Sequence, residues 1–469
     1  MSRSLGGLLI AQALYAGAGV GVLSTLRRWE TWVDFLQALG LAYLTGVASV
    51  GVLATLMLLA GFGLGTIVII AIATGLLVAG CAVAAGRGFR PPRASGLTRP
   101  AATPQNLAVL VFAVITLLVL GAMSRAAVHL PVTSWDAWTF WVPKAETIYF
   151  FGLDAHLLTA LANPSYPLFV PALQAMDFRL MGSADATALA LQYWFLFAAF
   201  LLSVWTLLRP LVKPAVIWPF LALASVMPTL DKRLLVAEGD WPLAVLFAVA
   251  ALCVARWLLT REPWLLGVFA FLASAAMATK REGQLLIACL LAAALATTVR
   301  TARAAWPRLL GLTVLAYLPQ IPWRLWWTSR HVTPDTPEVP FSRLPSHVDR
   351  VGPALRIVLH LLVRTDMWLV TVPLALTAAL LLLVARRDVG LAVLYLLTCA
   401  LGVVGFVWVL WSFLSFPLDE SAQEPIPRAV GSLVLLSAAF APLLVSRLLA
   451  VGAHSAEQPI DLAPVAVDG

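Results

Sequence analysis

The sequence predicts an all-α protein that crosses a membrane many times. Hydrophobic residues fill 61% of its 469 positions and charged residues only 12%, roughly half the charge of a soluble chain. The mean hydropathy is +0.92. Apolar stretches of about 20 residues, enough to cross the hydrocarbon core as a helix, recur along the whole chain.

Taken in order, the apolar stretches 5–26, 33–58, 63–86, 106–124, 185–208, 215–230, 242–259, 264–279, 284–299, 308–323, 367–385, 390–411 and 429–449 predict a bundle of roughly thirteen transmembrane helices. The first is too long for a signal-peptide core and the next helices continue its pattern, so it is expected to be retained. The Pro-, Arg- and Gly-rich stretch 86–105 divides three leading helices (1–105) from a larger module (106–450). The tail, 451–469, has little apolar content and is expected to be disordered. Cys81, Cys253, Cys289 and Cys399 lie inside apolar stretches without metal-ligand spacing, which predicts packed thiols.

Basic residues at 27–28, 87–99, 209–213, 256–261, 300–308 and 386–387 fall on one side of this arrangement, which the positive-inside tendency makes cytoplasmic. The net charge of +8 therefore reflects membrane topology, and no nucleic-acid partner is implied. The other side collects most of the acidic residues, among them Asp136, Glu146, Asp154, Asp177, Glu238, Asp240, Glu282, Asp335, Glu338, Asp419, Glu420 and Glu424. The working face is expected there, although two long polar external loops, 125–184 and 324–366, would also produce this sorting. Mid-span positions are nearly free of ionisable groups, which argues against an ion-coupled transporter.

Three polar clusters stand out on that side. In the first, Trp135-Asp136-Ala137-Trp138 precedes a segment to Phe151 with Trp138, Trp141, Val142, Ala145, Ile148 and Tyr149 at helical spacing and Lys144 and Glu146 elsewhere on the wheel. This predicts an amphipathic helix at the membrane interface. Asp136 is either its N-cap or a catalytic carboxylate. Further on, Asn163-Pro164-Ser165-Tyr166-Pro167-Leu168 is a turn-rich strip, an ordinary connector or a fold over a cavity. The second cluster is Asp231-Lys232-Arg233 with Glu238-Gly239-Asp240, where Asp240 could serve only as a cap. The third, Lys280-Arg281-Glu282-Gly283, places two cations where the positive-inside tendency disfavours them, so a phosphate headgroup or a salt bridge to Glu282 or Asp240 should balance them. Loop 324–366 adds Trp326, Trp327, Arg330, His331, Asp335, Arg343, His347 and Arg350, suited to sugars, anionic lipid or interfacial anchoring.

These residues resemble the GT-C superfamily of membrane glycosyltransferases that use polyprenyl-phosphate sugars, especially the branch of protein O-mannosyltransferases and bacterial lipid-glycan transferases. The resemblance covers 106–450, with three extra leading helices. It implies that Asp136 is the catalytic base, that Lys280, Arg281 and Arg428 bind the donor phosphate, and that Glu238 and Asp240 form a second acidic site. Trp135, Trp138, Lys144, Glu146, Tyr166, Arg330 and His331 are further candidates for substrate binding. Where the family commonly has a second acidic residue this chain has Ala137, leaving Glu146 or Asp154 for that part and the need for a divalent metal open. The implied partners are a polyprenyl-phosphate-linked sugar, a glycan, lipid or protein acceptor, and membrane lipids. The implied chemistry is transfer to an acceptor hydroxyl, inverting if one carboxylate acts alone. The alternative class is a flippase or carrier for lipid-linked sugars. The Ala-, Leu- and Arg-rich composition suggests a bacterial inner or plasma membrane, with the site facing the periplasm or exterior.

Overall fold

The computed structural model describes residues 2–89, 92–93, 103–129, 132–299, 302–331, 341–412, 418 and 425–456. Asp335, Glu338, Asp419, Glu420, Glu424, most of 86–105 and the tail from 457 onward lie outside these residues, as do the side chains of Asp231, Lys232, Arg233 and Arg343. The described residues are helical and form no strand.

The leading part comprises α1 (Ser2–Leu26), the short α2 (Trp32–Gln37), α3 (Leu39–Leu59) and α4 (Thr66–Gly86). After α5 (Pro104–Ala127) come a wide π-type turn (Ala137–Trp141), α6 (Val142–Phe151), α7 (Ala155–Thr159) and α8 (Phe169–Met181). Next are α9 (Ala190–Leu208), α10 (Pro214–Ser225), α11 (Pro228–Arg233), α12 (Asp240–Thr260), α13 (Pro263–Thr279) and α14 (Arg281–Thr298). The chain ends with α15 (Trp306–Tyr317), α16 (Gln320–Thr328), α17 (Val351–Leu362), α18 (Thr365–Trp368), α19 (Thr371–Val384), α20 (Val389–Ser412) and α21 (Pro425–Ala456). Prolines open α5, α10, α11 and α13, where a missing N–H costs nothing and the fixed φ suits the helix.

Nine helices among the described residues are long and apolar enough to cross a membrane, and a tenth crossing results if Pro345–Trp368 and Thr371–Val384, bent by 114°, form one broken or re-entrant span. The chain is thus a multi-pass membrane protein. The expected thirteen is not reached, because several apolar stretches are interrupted. Stretch 308–323 breaks at Pro319 between α15 and α16, as expected where proline removes a helix hydrogen bond. Stretch 215–230 divides into α10 and α11, and α13, at 17 residues, is at the short end of what can cross. The last helix reaches Ala456, past the boundary at 450.

Segment 125–184 differs from a simple polar loop. Helix α8 packs against α1, α3 and α6, and Asp177 on it is fully buried, accepting hydrogen bonds from Tyr15 Oη (2.9 Å) and Gln12 Nε2 (3.4 Å) of α1. The sequence places this aspartate with the external acids; its surroundings are protein. At the centre lies α12, buried without a break from Asp240 to Trp257 and packed on α9, α13 and α21. That is the environment expected of a helix apolar all round.

The leading helices share the apolar core with the rest of the chain. α1 and α3 cross closely because Gly19 faces Gly46: a Cβ on Gly46 would overlap the Tyr15 carbonyl, and one on Gly19 the Ala42 carbonyl. Small residues allow such backbone approach in membrane bundles. Gly46→Leu should therefore destabilise the bundle by about 1–3 kcal/mol or more, read as a lower Tm in detergent. Gly63→Leu, with open space around the new Cβ, should leave Tm unchanged.

Candidate functional site

The ends of four helices that are distant in sequence bring their ionisable groups together at one end of the bundle. The chain leaves α5 and enters the π-type turn at Asp136-Ala137. The wide turn buries Ala137, Phe140 and Trp141 and leaves Trp138 57% exposed. Asp136 makes no capping hydrogen bond there. Its Oδ2 instead lies 2.8 Å from Nη1 of Arg428, in the first turn of α21.

The same Nη1 lies 2.9 Å from Oε1 of Glu238, which also accepts a hydrogen bond from the Ser134 hydroxyl. Glu238 and Asp240 come from the tight entry to α12. Ala237 there has φ +59, a left-handed conformation uncommon without glycine, and its carbonyl accepts from the buried Gln174 of α8 (3.2 Å). Gly239 lies against the Trp141 indole, where a Cβ would not fit. Asp240 accepts from Lys280 Nζ at 2.8 Å, and Glu282 lies 3.7 Å from the same ammonium. One carboxylate oxygen from each of Asp136, Glu238 and Asp240 falls within 4.8 Å of the others.

Burial dominates the electrostatics. It raises the Asp136 carboxyl above its ordinary range against the pull of Arg428. Burial, opposed by Arg428 and reinforced by Asp240, pushes Glu238 from 4.5 to about 7. Burial alone would weaken the Lys280 ammonium, but Asp240 and then Glu282 outweigh it and hold it charged. The Tyr166 hydroxyl, buried and facing Glu282, is pushed up to about 12.

The Tyr166 ring links two parts of the site. Lys280 lies 5.6 Å and Lys144 5.9 Å from its centroid, within cation–π range. The sequence puts Lys144 on the polar side of an interfacial helix; the structure buries it completely, with its ammonium donating to the Asn163 carbonyl. Lys144 thus anchors strip 163–168, while Val142, Ala145 and Ile148 provide the buried apolar side of α6, continuing from Trp141 in the turn before it.

The remaining candidates form no ion pair with the carboxylate cluster among the described residues. Trp135 is 67% exposed, and the Trp138 indole donates to the Val132 carbonyl. Asp154 caps α7 through the Leu157 N–H at 2.9 Å, and half-buried Glu146 is not among the three converging carboxylates. Neither converges on Asp136; the carboxylates that do are Glu238 and Asp240. Arg330 folds back over Trp326, 4.3 Å from its centroid, and His331 is exposed beside it. Arg281 donates to Ser165 Oγ at 2.7 Å. Ser134 and Gln174, both at the Glu238 turn, were not singled out in the sequence, although Ser134 immediately precedes Trp135-Asp136.

Three converging carboxylates invite comparison with a divalent-metal centre. Here, however, Arg428 already bonds Asp136 and Glu238, and Lys280 bonds Asp240. A divalent ion among these oxygens would meet two fixed cations at contact range, so the residues fit a network of ion pairs better than a metal cage. The network can hold one carboxylate oriented and exchange a proton near neutrality. In comparisons with known proteins, no family model, curated relative or solved structure matches this chain.

Removing Arg428 strands two carboxylates. Arg428→Met should cost about 3–5 kcal/mol, the range for breaking a buried ion pair, measured as lost thermal stability and partly recovered when Glu238→Gln is added. The raised pKa of Glu238 fixes a sign. The folded protein holds a proton that the unfolded chain releases, so this stabilisation is full below about 4.5 and lost as pH rises through about 7. Tm should fall across that window, and fall less in Glu238→Gln.

Proposed function

We propose that the chain is a membrane glycosyltransferase that moves a sugar from a lipid-phosphate donor to an acceptor hydroxyl, with Asp136 as general base. The observation that carries this reading is the convergence of Asp136, Glu238 and Asp240 with Arg428 and Lys280 at the helix ends. Nothing in packing alone calls for so many charges in one buried place, and perturbed groups of this kind gather at working sites. The site is assigned to the outer face by the positive-inside distribution of arginines, in keeping with a bacterial cell membrane.

The acceptor oxygen attacks the anomeric carbon as Asp136 takes its proton. The bond from that carbon to the donor phosphate breaks, and the electron pair leaves with the phosphate. Asp136 suits the base because it is the least buried of the three carboxylates, at 17% side-chain exposure against 2% for Glu238 and 6% for Asp240. Burial raises its proton affinity, while Arg428 fixes its direction. Glu238, near neutrality and hydrogen-bonded to Ser134, can take up or release the proton that keeps the network's charge constant. Lys280 and Arg428 are already paired with carboxylates, whereas Arg281 makes no ion pair among the described residues and donates to the Ser165 hydroxyl near an indole, so it is the cation best placed to receive phosphate. Single displacement inverts the anomeric centre.

Asp136→Asn should lower transfer from a polyprenyl-phosphate sugar by about 10²- to 10⁴-fold, the usual contribution of general-base catalysis, with Tm near wild type. Activity at the wild-type level in the folded variant would remove Asp136 from this role. Movement of the lipid-linked sugar across vesicles with no glycosidic product would point to a carrier.

A further inference from the structure

Asp177 is a buried carboxyl that the transfer reaction leaves unused. Both hydrogen bonds it accepts, from Tyr15 Oη (2.9 Å) and Gln12 Nε2 (3.4 Å), fall on Oδ1. Its Oδ2 is buried without a partner, and no cation forms an ion pair with it among the described residues. Gln174, three residues earlier and on the same face of α8, carries a matching orphan. Its Nε2 donates twice, to Tyr193 Oη (3.0 Å) and to the Ala237 carbonyl (3.2 Å), while its Oε1 is buried and accepts from no described group. Both Nε2 hydrogens are in use, so the amide cannot serve Asp177 without leaving Tyr193 or Ala237. Two buried acceptors on neighbouring positions, both lacking a donor, are costly. One proton on Asp177 satisfies both.

The elements packed on α8 offer Asp177 no counter-charge among the described side chains. α1 presents Tyr15 and α3 Tyr43; α4 contributes only the exposed Cys81, and α13 has no ionisable side chain. On α6, Lys144 is tied to the Asn163 carbonyl and Glu146 is half-buried. Arg179 of α8 itself bonds the Tyr149 carbonyl and lies 4.6 Å from the centroid of that ring. Burial therefore raises the Asp177 carboxyl well above its ordinary range, against the bonds from Tyr15 and Gln12.

We propose that Asp177 is a positioning residue that works in its neutral form: a proton on its Oδ2 donates to Gln174 Oε1, keeps the Gln174 amide turned with Nε2 on the Ala237 carbonyl, and so holds the turn that brings Glu238 to Arg428. The consequence for catalysis rests on the transferase reading; the proton does not. Ionisation undoes the arrangement by one rotation. A bare carboxylate draws the Nε2 hydrogens, and an amide turned over to serve it points Oε1 at the Ala237 carbonyl. Ala237, left-handed at φ +59 without being glycine, then loses the bond that holds it there. Glu238 slackens on the guanidinium that it shares with Asp136. The proton's contribution to stability is full below the ordinary aspartate value and lost as pH rises through the raised one, so the turn loosens toward alkaline pH.

Infrared spectroscopy of the full chain in detergent at neutral pH reads the proton without any substrate. Wild type should show a carboxylic-acid carbonyl band that Asp177→Asn removes, Glu238→Gln leaves in place, and Gln174→Leu displaces by taking away the acceptor. No band lost in Asp177→Asn would overturn the neutral form, and a band unmoved in Gln174→Leu would overturn the bond to Gln174. Asparagine offers Oδ1 to Tyr15 and Nδ2 to Gln174, so Asp177→Asn should fold as wild type does, with a Tm that falls less toward alkaline pH. A Tm raised by sodium over choline in wild type and not in Asp177→Asn would put a cation on Oδ2 in place of the proton and overturn the proposal. In transfer assays Asp177→Leu should lower kcat about tenfold, the loss of one hydrogen bond, with KM for the donor unchanged, whereas Asp177→Asn should restore kcat and remove its alkaline fall. An asparagine that fails to rescue, or that keeps the alkaline fall, would overturn the link to Glu238. Wild type that shows the band but transfers no sugar would sink the transferase reading and leave the neutral Asp177 standing.

Discussion

The site depends on one guanidinium. Arg428, at the start of the last helix, holds Asp136 from the segment after α5 and Glu238 from the entry to α12 with the same nitrogen. A lone carboxylate in that environment would protonate, and a lone arginine would carry an unaffordable desolvation cost. Each charge is tolerated because the others are present. Ion pairs of this kind add little net stability compared with apolar packing, but removing one partner leaves an uncompensated buried charge, so the helix ends that carry them are held together. The Lys280–Asp240 pair joins a fourth element, the α13–α14 turn, to the same arrangement.

Much of this was legible in the sequence because it depends on composition and punctuation. Apolar runs gave the helical membrane class, charged residues in unexpectedly short connections marked Glu238, Asp240 and Lys280, a carboxylate among tryptophans marked Asp136, and the family resemblance alone marked Arg428. What periodicity cannot convey is where an apolar run stops being a crossing. Pro319 divides one stretch into two short helices, and α10 is shorter than a typical span, so a count based on hydropathy exceeds the nine or ten long apolar helices among the described residues. Nor can spacing identify which polar side chains have protein around them. Lys144 reads as solvated because it lies off the apolar face of the helical wheel, and Asp177 because it falls in a stretch between apolar spans, yet their neighbours in space are the Asn163 carbonyl in one case and Gln12 and Tyr15 in the other. Those partners lie up to 165 residues away.

The second carboxylate shows the same limit. A local search beyond Asp136 leads to Glu146 and Asp154, because they are nearby in sequence. The structure uses Asp154 as a helix cap and brings in Glu238 from 102 residues along the chain instead. Helix α12 makes this possible: it runs through the centre of the bundle, so its first residues emerge where other helices also end. The backbone supports the arrangement at some cost, with Ala237 in a left-handed conformation held by Gln174 and with Gly239 allowing Trp141 to approach.

Gln174 and Asp177 also give the leading helices a physical connection to the site. Both lie on α8, three residues apart and hence on neighbouring positions of one helical face. Asp177 is fixed by Gln12 and Tyr15 of α1, and Gln12 in turn accepts from Tyr43 of α3 at 2.7 Å. Gln174 fixes the Ala237 carbonyl next to Glu238. Buried polar groups without partners are costly, so such a chain resists rearrangement at every link. The first helices therefore bear on the carboxylate cluster through α8, and because α1 and α3 also pack on α8, α9 and α13, an N-terminal unit that sequence composition separates from the rest shares its core.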